Sequence, residues 1–186
     1  LCPGRARLKG HGGAPMSILP FPADAAGATH KQPNSRMCFA CGLENPVGLQ
    51  LSFYDDRAGS VVAETVIPAH FQGYPGRTHG GVVAAMLDEI VGRTAMTEDP
   101  NRFMVTAKLD VRYRRPIPLG EKLRLQGSLI RRKGRLAWAH AELRLADGSL
   151  GAEADATLMD IDSSVGDPAA LGWRVYPDRS GEGEGG

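Results

Sequence analysis

His79-Gly80-Gly81-Val82-Val83-Ala84-Ala85-Met86-Leu87-Asp88-Glu89-Ile90-Val91 is the stretch on which the reading of this chain turns. Val82, Met86 and Ile90 recur every four residues, and so do Val83, Leu87 and Val91. Positions four apart share a helix face, so the two series form one apolar stripe and predict a helix over residues 81–96. At ~100° per residue, Asp88 points roughly 150° away from the centre of that stripe, and Glu89 lies about 100° round from Asp88. Asp88 is therefore expected to face water or a second chain. The first amides of a helix have no partner within it and lie at the positive end of its dipole. Behind Gly80 and Gly81, whose lack of a side chain admits a ligand, such amides can hold an oxyanion. An acid two turns further in could act as general base or as nucleophile. A second His-Gly-Gly, at residues 11–13, is followed by no periodic apolar run and is set aside.

Outward from the helix the periodicity changes to two. Leu49, Leu51 and Phe53 alternate with Gln50, Ser52 and Tyr54, which reads as a strand, and residues 61–67 read as a second. Beyond the helix, Val105, Ala107, Leu109, Val111 and Tyr113 alternate with Thr106, Lys108, Asp110, Arg112 and Arg114. Strands are then expected over residues 123–129, 136–145 and 150–161, with turns at Lys133-Gly134 and Asp147-Gly148. Tight turns make the sheet antiparallel. The expectation is an α+β fold, an antiparallel sheet of about six strands wrapped around one long central helix. Residues 1–35, rich in Gly, Pro and Ala, read as a disordered leader, and residues 166–186 as a flexible tail. The chain begins at Leu1, and Met16 and Met37 are alternative starts.

Composition excludes some functions. A net charge of +1 gives no general attraction to nucleic acid, and 6 % aromatic residues are too few for a base-stacking surface. Apolar runs fall well short of the ~20 residues of a membrane span. No secretion signal is seen, so the cytoplasm is the default location. Cys38 and Cys41 form a C-x-x-C, but a zinc site needs two more ligands and no second pair exists. The two are expected to pack at the start of the first strand, with no metal and no cofactor. Arg131, Arg132, Lys133 and Arg135 surround Gly134, a cluster suited to phosphate oxygens or equally to a solvated hairpin tip. Arg114 and Arg115 are a second basic candidate.

His79-Gly80-Gly81 with an acid nine residues after the histidine resembles the hotdog-fold thioesterases of the phenylacetate-pathway type and their thioesterase-superfamily relatives. Cys38-Phe39-Ala40-Cys41-Gly42, Asn45-Pro46, Gly48-Leu49 and the run Phe71-Gln72-Gly73-Tyr74-Pro75-Gly76 share in that resemblance, which covers residues 37–162. It implies a hotdog domain over residues 36–165 that hydrolyses an acyl- or aryl-coenzyme A thioester. Asp88 would be the catalytic acid and Thr106, on the next strand, would position the water. His79 would orient the loop and the thioester, and the Gly80 and Gly81 amides would form the oxyanion hole. Members work as homodimers, or as pairs of dimers, without a cofactor. Thr106 would then come from the subunit facing Asp88, and the basic turn would anchor coenzyme A. Some relatives have an Asn before the His-Gly-Gly, where this chain has Gln72 and Gly73 as substrate-binding candidates. Two other readings are a hotdog dehydratase or hydratase, suggested by His70-Phe71 and Pro75-Gly76, and a non-catalytic acyl-coenzyme A-binding module.

Overall fold

A helix, α1 (Gly80–Thr94), begins where the sequence expects one. His79 caps it: the ring Nδ1 accepts from the Gly81 N–H at 3.0 Å, satisfying one of the orphan donors of the first turn. Val83, Met86, Leu87, Ile90 and Val91 are buried, so the apolar stripe is the core face. The helix closes by tighter bonds from the Ala95 and Met96 amides to Gly92 and Arg93, while Thr94 and Thr97 hydroxyls take up the Val91 and Thr94 carbonyls. The computed structural model from which these features are taken describes residues 30–161 and 172–175.

Around the helix curls a sheet of seven strands: β1 (His30–Lys31), β2 (Tyr54–Asp55), β3 (Ser60–Val66), β4 (Met104–Tyr113), β5 (Lys122–Lys133), β6 (Leu136–Arg144) and β7 (Leu150–Asp160). Their order is β1-β2-β3-β5-β6-β7-β4, and every pair is antiparallel. The inner faces of β6 and β7 carry Ala137, Ala139, Ala141, Ala152, Ala154 and Ala156, all buried. Small side chains there let the helix lie close to the sheet. At Gly127 of β5 the approach is closer still, since a Cβ would lie 3.0 Å from the Ile90 carbonyl oxygen. At the far end β4 pairs, among the described residues, with β7 alone, so the other edge of this ten-residue strand has no partner there.

The strand expected at residues 49–54 shrinks to Tyr54–Asp55. Leu51 and Phe53 are buried as their alternation suggests, but Gln50 has φ of 53° and breaks the extended run. The unpaired backbone here is satisfied by residues that the sequence reading assigned to the leader. Asn34 is fully buried, and its side-chain amide donates to the Cys41 and Leu51 carbonyls at 2.7 and 2.8 Å. Gln32 donates to Asp55 and to the Arg93 carbonyl. Residues 30–35 therefore belong to the domain, and the boundary at residue 36 is corrected. Their polarity reflects capping of buried carbonyls, not solvation.

The tail is corrected in the same way. Arg174 exchanges two backbone bonds with Asn34, and the Trp173 ring sits against Phe103 and against the Arg93 guanidinium, 4.7 Å from the ring centre. Residues 1–29, with the alternative start Met16, and residues 162–171 and 176–186 lie outside the described residues. Among the described residues no helix is long and apolar enough to cross a membrane.

Candidate active site

Asp88 lines an open cleft of about 450 Å³ between α1 and β4, together with Ala84, Ala85, Thr106, Ala107, Lys108 and Leu109. Alanine at 84 and 85 leaves the space, because these residues share the helix face of Asp88 one turn earlier. Among the described residues nothing hydrogen-bonds or ion-pairs with the Asp88 carboxylate. Glu89 differs. Its Oε1 accepts from both Nε and Nη2 of Arg93, at 2.9 and 2.8 Å, and its Oε2 faces the Cys38 thiol. One of two adjacent acids is held by an ion pair, and the other has no partner among the described residues.

The sequence reading put Thr106 on the polar phase of β4 and assigned it to a facing subunit. A bulge corrects the phase. Thr106 pairs with Leu158 and Lys108 with Thr157, so Ala107 is an extra residue. Beyond it the phase reverses, and Thr106 shares the inward face with Met104, Leu109 and Val111. Asp88 and Thr106 thus line one cleft of a single chain.

The helix mouth is held from several sides. The His79 amide donates to the Phe71 carbonyl, the Thr78 amide to Ile117, and the Tyr113 hydroxyl to the Gly80 carbonyl at 2.8 Å. Because Nδ1 of His79 is an acceptor, the neutral ring carries its proton on Nε2. That cap also occupies the Gly81 N–H, one of the two amides expected to face an oxyanion. Among the described residues the Gly80 N–H has no acceptor. His79, Gly80 and Gly81 are all exposed. Gly73 packs against His79, where a Cβ would lie 3.0 Å from the His79 Cα. Gln72 accepts from the Gly76 amide through Oε1 at 2.8 Å and closes its own loop.

The basic cluster does not form one patch. Strand alternation splits it between the faces of the sheet, and the bulge at Ile130 sets Arg132 opposite the buried Ala137. Arg131 stacks on Trp138, 3.7 Å from the ring centre, whereas Arg132 is half-buried near Glu98. Lys133 is exposed, and Arg135 reaches the Asp160 carbonyl. Glu98 follows the helix C-terminus, so this hairpin tip lies at the opposite end of α1 from His79. Arg114 is paired with Glu153.

Beside Glu89, the Cys38 and Cys41 thiols are unbridged. A hydrogen bond from Cys41 holds the Cys38 thiol down, to about 6, against the opposing effects of burial and the Glu89 charge. The same bond and burial push Cys41 well up. Sequence reasoning missed the contact to Glu89, and it missed Tyr113 and Arg93. Chain spacing carries no signal for Cys38 with Glu89, which are 51 residues apart.

Comparison with known proteins agrees with this architecture. Residues 75–152 match the model of the thioesterase superfamily. Acyl-coenzyme A thioesterase THEM4 of Rattus norvegicus is 27 % identical over 141 residues, which are 75 % of this chain and 60 % of the relative. The chain thus spans about 60 % of the length of the first curated relatives it matches. A thioesterase superfamily protein of known crystal structure superposes with a TM-score of 0.62 at 31 % identity, covering 67 % of this chain and 63 % of that one. The Escherichia coli PaaI protein of the phenylacetic acid degradation operon shares the fold, with a TM-score of 0.56 at 15 % identity over 61 % of this chain and 81 % of its own. Residues 75–152 thus resemble the thioesterase superfamily, and the domain around them has the hotdog fold that these solved structures share.

Proposed function

We propose that this chain is an acyl-coenzyme A thioesterase whose active sites are each built from two copies of the chain. The observation that carries the reading is the unpartnered Asp88 in its cleft with Thr106, set against the free Gly80 amide. The two lie eight residues apart on one helix, about 12 Å along its axis at ~1.5 Å per residue. A water held by Asp88 cannot attack a carbonyl held at Gly80 of the same chain, because reacting atoms must come within ~3–3.5 Å. Two helices packed antiparallel bring the mouth of one beside the middle of the other. The exposed mouth, the open cleft and the edge of β4 away from β7 are the surfaces such a dimer would cover.

In that arrangement the thioester carbonyl accepts from Gly80 N–H of one subunit, where the helix dipole favours the developing oxyanion. Asp88 of the other subunit takes a proton from water, or attacks to give a mixed anhydride that water then opens. The Thr106 hydroxyl positions that water. His79 fixes the helix mouth through its cap on Gly81 and offers Nε2–H to the ligand, and Gln72 offers its side-chain NH2. The leaving thiolate needs little help, since an alkyl thiol ionises near ~8.5. Antiparallel packing also brings the Arg131, Lys133 and Arg135 tip of one chain toward the Gly80 end of the other, within reach of coenzyme A phosphates. No cofactor enters the scheme. Two free thiols side by side are at home in the reducing cytoplasm, which is where we place the protein.

The test is release of free thiol from a panel of acyl- and aryl-coenzyme A thioesters by the purified chain, with its mass in solution measured alongside. Turnover of at least one class by a dimer or tetramer is expected. Tight binding without thiol release would favour the acyl-coenzyme A-binding module. Hydration of an enoyl thioester without hydrolysis would favour the hydratase.

A further inference from the structure

Independently of the thioesterase reading, we propose that Cys38, Cys41 and Glu89 form a binding site for a thiophilic divalent cation, zinc above all. The sequence offers only the C-x-x-C, and the fold supplies a third ligand from α1. One ligand atom from each residue, two sulfurs and a carboxylate oxygen, lies within 4.8 Å of the other two. A tetrahedral zinc with bonds of ~2.3 Å to sulfur and ~2.0–2.2 Å to oxygen sets its ligand atoms about 3.8 Å apart for two sulfurs and about 3.6 Å for sulfur and oxygen. Cys38 Sγ and Glu89 Oε2 are already 3.8 Å apart. Closing round an ion needs side-chain adjustments below an ångström or so.

The second sphere is also in place. Arg93 grips only Oε1 of Glu89, which leaves Oε2 turned to the thiols. Arg93 is itself locked by the Pro33 carbonyl at 2.6 Å and by the Phe53 and Trp173 rings. Such outer contacts hold a ligand in its binding orientation. Two thiolates and the carboxylate carry three negative charges, which a divalent cation and the Arg93 guanidinium offset. Cys41 is buried while Cys38 is half-exposed, so the ion has a path in, and water completes its coordination from the Cys38 side. Binding displaces the thiol protons to solvent. The ion would pin the loop of residues 38–42 to the helix face next to Asp88, a structural role outside the reacting groups.

The experiment titrates the reduced, metal-free full chain with Co2+ and then with Zn2+. Sulfur-to-cobalt charge-transfer absorption saturating at one ion per chain, and bleached by Zn2+, is expected. Zn2+ should also shield Cys38 and Cys41 from alkylation in peptide maps and raise the melting temperature. Cys38→Ser, Cys41→Ser and Glu89→Gln should each weaken binding by at least the ~10- to 100-fold that loss of an outer contact to a metal ligand costs, the two serines most. Absence of sulfur-to-cobalt absorption in the wild-type chain would overturn the site, as would equal alkylation with and without Zn2+. Neither readout requires a variant to fold. Unchanged affinity in a folded Glu89→Gln variant would overturn the three-ligand assignment.

Discussion

Asp88 and Glu89 are consecutive acids on one helix, and the fold treats them in opposite ways. Glu89 faces Cys38, and the Arg93 guanidinium one turn further along the same helix, 2 % exposed, holds it by two bonds. Asp88 faces an open cleft between α1 and the edge strand, and among the described residues it has no partner. A carboxylate anchored by charge-assisted bonds contributes to stability and is poorly placed to move a proton. An unpaired carboxylate in a cleft contributes little to stability and is available for catalysis. Chemistry and stability should therefore separate cleanly between two neighbouring residues.

The largest expected effect is on turnover. Asp88→Asn keeps the shape and removes the base, so kcat should fall by ~10²-fold or more, while the denaturation midpoint stays close to wild type. Gly80→Pro is its counterpart at the helix mouth. Proline is tolerated at the first helical position and lacks only the N–H. His79 already has the extended conformation required before proline, with φ −61° and ψ 135°. Loss of one oxyanion donor should cost ~10²- to 10³-fold in kcat. If either variant turns over normally, the reacting groups have been misassigned.

On the Glu89 side the effect should move to stability. Arg93→Met leaves a part-buried carboxylate and the Pro33 carbonyl without their donor. A loss of about 3 kcal/mol is expected from breaking a buried pair, read by urea denaturation, with kcat of the folded fraction within a few-fold of wild type. A stability change confined to experimental scatter would erase the contrast between the two acids. Thr106→Ala should be milder, lowering kcat ~10-fold through a poorly placed water and leaving KM nearly unchanged. An effect on KM alone would make Thr106 a binding residue. Smallest should be charge removal at the hairpin tip. Replacing Arg131, Lys133 and Arg135 with Gln should raise KM several-fold at low salt, leave kcat alone and flatten the salt dependence of kcat/KM. Identical salt profiles would mark the tip as a solvated hairpin.

The helix and the five long strands could be read in the sequence because their apolar periods of 3.6 and 2 follow directly from burial on one face. What escaped has no periodic signature. The bulge at Ala107 leaves composition untouched but reverses the phase between Thr106 and Leu109, which put Thr106 on the wrong face, and the basic residues looked like one cluster because neighbours in a strand alternate between its faces. Gln32 and Asn34 look like solvated linker, yet they cap carbonyls of a buried, unpaired segment, a demand visible only once that segment is in place. Of the proposed site, His79, Gly80 and Asp88 are picked out by spacing along one helix. The competition of His79 for the Gly81 amide depends on a side-chain rotamer that spacing does not fix.

Subunit mixing tests most directly the central claim, that each site joins Gly80 of one chain to Asp88 and Thr106 of another. Asp88→Asn and Gly80→Pro, each inactive alone, are combined and allowed to exchange. Every hybrid dimer then has one site with both defects and one with neither, so random pairing should restore roughly a quarter of wild-type activity, as symmetric two-fold dimers require. The paired control, Asp88→Asn with Thr106→Ala, should restore nothing beyond the residual activity of the parents, because both changes fall in the half-site of their own chain. Failure of the first mixture to recover despite verified exchange, or recovery in the second, would contradict this division of the site between the two subunits.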